Sequence, residues 1–293
     1  DDIARAIVYA ADNGVDILNF SFGDIYPSRT MHAAIRYAYE KAVVMVASAG
    51  NGTGDNLHYP SNFPEVISVS ASDQTLNGAE FLWPLSSYGL TVDLCAPGSG
   101  ILTTVVRDTA EDGTVTDCGI FSGTSTAAPM VASAVGLLFS EKGKISPDGV
   151  RGILTGSTED IGETGWDHLP GAGRLALLPV LQTVGASIAK IDFPPNDFGA
   201  NGGNLPLVVT ALEPQLQQVT LEYQAGTSGA STWTPILEGL TGQADADTLG
   251  NWNLDGLSDG EYTLRLRIDK TNGRTAEDRV RIALDRSAPQ IEI

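Results

Sequence analysis

The stretch F-S-G-T-S-T-A-A-P-M-V, residues 121–131, places Ser125 between a glycine-containing turn and a small-residue apolar run that reads as a buried helix. A serine there has two uses. It caps the helix by accepting from a free backbone N–H, or it acts as an acyl-transfer nucleophile. The second use needs a sharp exposed turn, donors for an oxyanion and a base in hydrogen-bond reach. Gly123 permits the turn, the helix is expected to begin at the serine, and N–H groups at a helix N-terminus point at developing negative charge. Pro129 is expected in the first helical turn, where a missing N–H matters little. A further donor stands at Asn51, in Ala49-Gly50-Asn51-Gly52 directly after a buried strand. Its side-chain amide suits an oxyanion, and its alternative role is a left-handed turn residue beside Gly52.

The elements that must position these residues alternate over residues 1–181. Ile3, Ile7, Ala10 and Ala11 mark a helix ending near Asn13-Gly14, and residues 33–42 a second. Apolar runs at 15–22, 43–49, 66–71 and 90–96 read as buried strands. Helix–strand alternation with continuous apolar strands predicts an α/β domain, a parallel sheet with helices on both faces. Ligands gather beyond the carboxyl ends of such strands, where Ser21-Phe22-Gly23 and Ser48-Ala49-Gly50-Asn51 fall.

From Ile188 short alternating strands separated by Gly, Asn, Asp and Ser predict a small all-β sandwich of the immunoglobulin or fibronectin kind. Leu264, Leu266 and Ile268 should face inward, with Arg265 and Arg267 in water, and the approach to Tyr262 resembles a tyrosine corner. Three segments result: the α/β domain at 1–187, the sandwich at 188–286, and the start of a further strand or a linker at 287–293. Trp233 and Trp252 are expected in packing.

There are 36 acidic and 17 basic residues, a formal charge of −19. That argues against nucleic acid as a partner, because phosphate binding relies on Lys and Arg. No apolar stretch approaches the roughly 20 residues of a membrane-spanning helix. Cys95 and Cys118, the only cysteines, cannot form a four-ligand zinc site. A disulfide between them is expected in an extracellular setting, the alternative being two buried free thiols. Asp108, Glu111, Asp112 and Asp117 between them read first as a solvated acidic loop and only second as an ion site. No metal site is evident.

The motifs ILNFSFG (17–23), VASAGNGT (46–53), YPSNFPEVISVSA (59–71), LCAPGSGI (94–101) and FSGTSTAAPMVASAVGLL (121–138) stand in the order seen in subtilisin-like serine proteases. Residues 171–175 resemble that family's closing segment. The resemblance implies a serine endopeptidase, secreted or at the cell surface, with Ser125 as nucleophile and Asn51 as oxyanion donor. It implies that Ser21, Phe22 and Gly23 offer backbone edges to an extended polypeptide, adding it as a strand. Ser48, Ala49 and Gly50 would form the opposing wall of the pocket for the residue before the scissile bond. Large apolar or neutral side chains are expected there, not basic ones. Calcium is implied by resemblance only.

The family's catalytic aspartate and histidine have no counterpart. His32, His58 and His168 all lack the His-Gly-Thr context and read as surface or loop residues. The expectation is a fragment whose Asp and His lie in a missing N-terminal segment, inactive alone for want of a base. Its strand at 15–22 should then carry an unpaired, aggregation-prone edge. The alternative is a non-catalytic, peptide-binding or adhesive cell-surface protein on a degenerate protease fold.

Overall fold

The computed structural model describes residues 2–109, 115–163, 165–183, 185–227 and 232–287. The chain divides into two units, Asp1–Gln182 and Thr183–Ile293. In the first, α1 (Asp2–Asp12) buries Ala4, Ile7 and Ala11, the spacing of one helical face, and ends before Gly14 at φ +76°. Then follow β1 (Ile17–Phe20), α2 (Arg29–Glu40), β2 (Val44–Ser48) and β3 (Val66–Gln74). The Ser28 hydroxyl caps α2 by accepting from Met31 N at 3.2 Å.

Strands β1, β2, β3 and β5 (Leu94–Pro97) form the expected parallel sheet in that order. Their side chains alternate between two helical layers. Leu18, Phe20, Met45 and Ala47 join the apolar cluster of α1 and α2, while Ile17 meets Gly136 of α3 (Thr124–Lys142) on the other face. Helix α3 packs across β1, β2, β3 and β5. Among the described residues β1 is an edge, paired only with β2.

Three features depart from expectation. The sheet is mixed, because β4 (Glu80–Leu82) pairs antiparallel with β3. The strand read at 90–96 starts only at Leu94, since the Asp93 carboxylate takes Ser68 N at 2.8 Å beside the ladder. Two of the acidic residues read as a loop lie on strands: Asp108 on β6 (Ile101–Thr109) and Asp117, exposed, on β7 (Val115–Phe121), which pair antiparallel. Glu111, Asp112 and the side chain of Asp108 lie outside the described residues.

The disulfide expectation is corrected. Both thiols are free. Cys95 lies fully buried in β5, where desolvation pushes its pKa up to about 12, whereas Cys118 is exposed on β7. The unit closes with α4 (Pro147–Gly156), capped by Ser146, and α5 (Leu177–Gln182).

The second unit is all strands: β8 (Ile188–Phe193), β9 (Phe198–Ala200), β10 (Asn204–Leu212), β11 (Leu216–Ala225), β12 (Thr234–Leu240), β13 (Ala244–Asn253), β14 (Gly260–Lys270) and β15 (Thr275–Leu284). They form sheets ordered β13-β10-β8 and β12-β11-β14-β15-β9. Leu207 and Val209 of one and Leu221, Leu264, Leu266 and Ile268 of the other share one apolar cluster. The Tyr262 hydroxyl donates to Ser258 O at 2.7 Å, the bond a tyrosine corner makes. Trp252 is buried, and Trp233 is half-buried. Arg265 is not in water: Nε donates to Glu222 at 2.8 Å, and the guanidinium lies 3.9 Å from the Trp233 ring. Of the expected tail, 288–293 lies outside the described residues.

Candidate active site

The site is built where β2 and β5 end and α3 begins. Gly123 is the N-cap of α3, at φ +149°, and a Cβ there would come within 3.3 Å of Asn51 Nδ2. Its N–H donates to Gly98 O at 2.7 Å. Gly98 has equally little room, since a Cβ would meet Ala71 Cβ at 2.5 Å. These two glycines allow the helix start to approach the sheet closely.

Ser125 is exposed and is not the cap, because α3 starts one residue earlier, at Thr124. Its hydroxyl donates to Ser21 O at 3.2 Å rather than accepting from the helix. Pro129 is the sixth helical residue, not a first-turn residue. Its missing N–H therefore leaves Ser125 O without its i→i−4 donor. The Ser21 hydroxyl fills that role, donating to Ser125 O at 2.8 Å while accepting from Asn19 Nδ2 at 2.9 Å. Ser21 and Ser125 are thus joined by two reciprocal hydrogen bonds.

Asn51 is brought to the same place by Thr124, a residue whose importance the motif did not reveal. Thr124 is fully buried. Its N–H and hydroxyl both donate to Asn51 Oδ1 at 3.0 Å, and the hydroxyl accepts from Gly50 N at 3.1 Å. With Oδ1 held, Asn51 Nδ2 has no partner among the described residues and remains a donor. The Ser125 N–H, in the first turn of α3, is a second. The pair can stabilise an oxyanion formed at a carbonyl attacked by Ser125 Oγ.

The two segments expected to bind peptide differ in character. Ser21 is half-buried, and Phe22 and Gly23 are exposed, open to an added strand. Ser48, Ala49 and Gly50 are buried, and much of their backbone is engaged. Ala49 N donates to Val69 O, and Gly50 O accepts from Ser87 N, both at 2.9 Å. The second segment is a wall rather than an edge.

No histidine is hydrogen-bonded to Ser125 among the described residues. His32 bonds Glu65 at 3.0 Å and stacks on Phe63. His168 faces Asp55 at 3.4 Å. His58 is not an ordinary loop residue, since its half-buried ring lies between Gly23 and Gly50. Nothing in the local sequence signals this. For calcium, no group of three or more His, Cys, Asp or Glu among the described residues is arranged to hold a metal ion.

The sequence pattern of the subtilase family matches residues 1–173. The chain is 37% identical over 193 residues to fervidolysin of Fervidobacterium pennivorans, covering 62% of this chain and 28% of that protein. It is 35% identical over 163 residues to thermitase of Thermoactinomyces vulgaris, covering 56% of this chain and 53% of that one. The chain thus spans about half or less of the length of these relatives. The crystal structure of a lanthipeptide protease matches with a TM-score of 0.54 at 27% identity, over 62% of this chain and 65% of that one. The fervidolysin structure matches with a TM-score of 0.58 over 96% of this chain and 44% of its own; at 24% identity it speaks for the fold. Family pattern, relatives and fold agree with the geometry around α3: the chain belongs to the subtilase family, the subtilisin-type serine proteases.

Proposed function

We infer that this chain carries the nucleophile and oxyanion half of a subtilisin-type serine endopeptidase. The observation that carries this is the Thr124 clamp, which fixes Asn51 Oδ1 and leaves Nδ2 free beside the start of α3. An extended polypeptide adds along residues 21–23. Ser125 Oγ attacks the carbonyl and passes its proton to a base, and the oxyanion is held by Asn51 Nδ2 and Ser125 N–H. The amine leaves with the proton, and water hydrolyses the acyl-enzyme on Ser125.

The base is the missing part. The three histidines are engaged elsewhere, so we assign the general base and its aspartate to a segment outside this sequence. The open edge of β1 suits such a segment. A purely peptide-binding role would leave the oxyanion geometry without a purpose, and the relatives do not favour it. The second unit is assigned as an immunoglobulin- or fibronectin-like sandwich, supported by the Tyr262 corner and the shared core. Secretion or display at the cell surface accords with the family and the acidic composition.

The test is peptide turnover and labelling by a serine-directed phosphonate. This chain alone is expected to show no turnover above background, since losing the histidine costs on the order of 10⁶-fold in enzymes of this type. Joined to a segment bearing the family's Asp and His, it should turn over peptide and label at Ser125. Labelling that persists in Ser125→Ala would remove Ser125 from its role. Turnover by this chain alone, lost in Ser125→Ala, would show that one of its own histidines is the base.

A further inference from the structure

The space between the two pocket walls is already partly filled. A Cβ built on Gly23 would lie 2.1 Å from Cε1 and 2.6 Å from Nε2 of His58. A Cβ built on Gly50, in the opposite wall, would lie 3.0 Å from Cδ2 and 3.1 Å from Cγ of the same ring. The imidazole therefore spans the gap between residues 21–23 and 48–50. Both walls are glycine where the ring touches them, and at Gly23 any larger residue would displace it.

The ring's backbone is anchored on several sides. Asp24 and Tyr59 exchange backbone hydrogen bonds at 2.9 and 2.8 Å, fastening the residue after His58 to the substrate edge. His58 N donates to Asn62 Oδ1 at 3.2 Å, and His58 O accepts from Ser61 Oγ at 2.6 Å and from Asn62 N at 2.9 Å. The ring Nδ1 faces Ser61 Oγ at 3.4 Å. Swinging the ring aside would lose that contact, and shifting the loop would break the backbone bonds.

We propose that His58 is a specificity-determining residue, closing the pocket for the side chain before the scissile bond so that small side chains enter and large apolar ones do not. This reverses the size preference expected from the wall motifs alone, and it rests on the reading of residues 21–23 and 48–50 as the substrate walls. In a filled pocket one methylene changes selectivity about 10- to 200-fold. An imidazole in place of open space has at least that leverage. Burial holds the ring's pKa below the usual histidine value, against the opposing influence of the Ser48 backbone and the Asp24 charge.

Because the chain lacks a base, uncleaved peptides serve as probes. Two tetrapeptide amides differing only in the last residue, Ala or Phe, are titrated into the chain while the His58 ring resonances are followed by NMR. The Ala peptide is expected to bind at least about 10-fold more tightly and to shift the His58 signals. His58→Gly, with folding checked by circular dichroism, should abolish or invert the preference. Tighter binding of the Phe peptide to the unaltered chain would overturn the proposal without recourse to the variant. So would a preference unchanged in a folded His58→Gly. If neither peptide binds or moves the His58 signals, the assignment of the walls itself fails, and the proposal with it. If both shift the His58 signals and bind equally tightly, only the specificity role falls.

Discussion

With its hydroxyl between Gly50 N and Asn51 Oδ1, Thr124 ties the end of β2 to the start of α3 through groups that water does not reach. Thr124→Val keeps the shape and removes the hydroxyl, leaving the buried Gly50 N–H unpaired. The expected loss is about 1–3 kcal/mol in chemical denaturation, with Thr124→Ser retaining most of the stability. A loss no larger than that of an exposed substitution would show that Gly50 finds another acceptor. At this scale Ser125 and Asn51 were legible because each sits in a run of neighbours whose types constrain one another. Thr124 lay in the same run, but threonine before a helix suggests only a cap. His58 was not legible, because its position depends on a loop folding back so that Tyr59 pairs with Asp24, thirty-odd residues away in sequence.

The four parallel strands could be read from continuous apolar runs, because a strand covered on both faces leaves no polar alternation to confuse the pattern. The β6–β7 pair could not. It projects Leu102, Val106 and Ile120 into solvent along with Cys118, so its apolar residues do not report burial, and the acidic residues of the segment suggested a loop. The contrast between Cys95 and Cys118 follows from their strands. Under native conditions a maleimide should label one thiol per chain, at Cys118, and Cys118→Ser should abolish that labelling. Cys95, buried and with its pKa raised to about 12, should react only after unfolding. Two equivalents reacting rapidly in the native state would mean that β5 opens to solvent.

Across the whole molecule, the change from helix–strand alternation to short alternating strands announced two folding units, and each has its own apolar core. Leu264 is fully buried in the second. Leu264→Ala should cost about 2–5 kcal/mol and lower a calorimetric transition belonging to residues 183–287. With Trp83 and Trp166 of the first unit replaced by Phe, the fluorescence of Trp252 and Trp233 would follow that unit. A shift of the entire melting profile by the same amount would show that the two cores unfold as one. Where the second unit begins was less legible, because Ser187 is claimed by its side chain. The hydroxyl bonds both Glu213 and Lys270 in a buried cluster, and no turn residue marks that attachment.

Pro129 carries a warning for anyone who would engineer this chain. A search for stabilising substitutions would choose it early, since proline within a helix costs about 3 kcal/mol relative to alanine. Alanine there would give Ser125 O an N–H donor from its own helix, competing with the Ser21 hydroxyl that now holds it. The helix would become more regular as the joint between sheet edge and nucleophile loosened. At this position a gain in melting temperature and a loss of alignment are two results of one hydrogen bond changing hands.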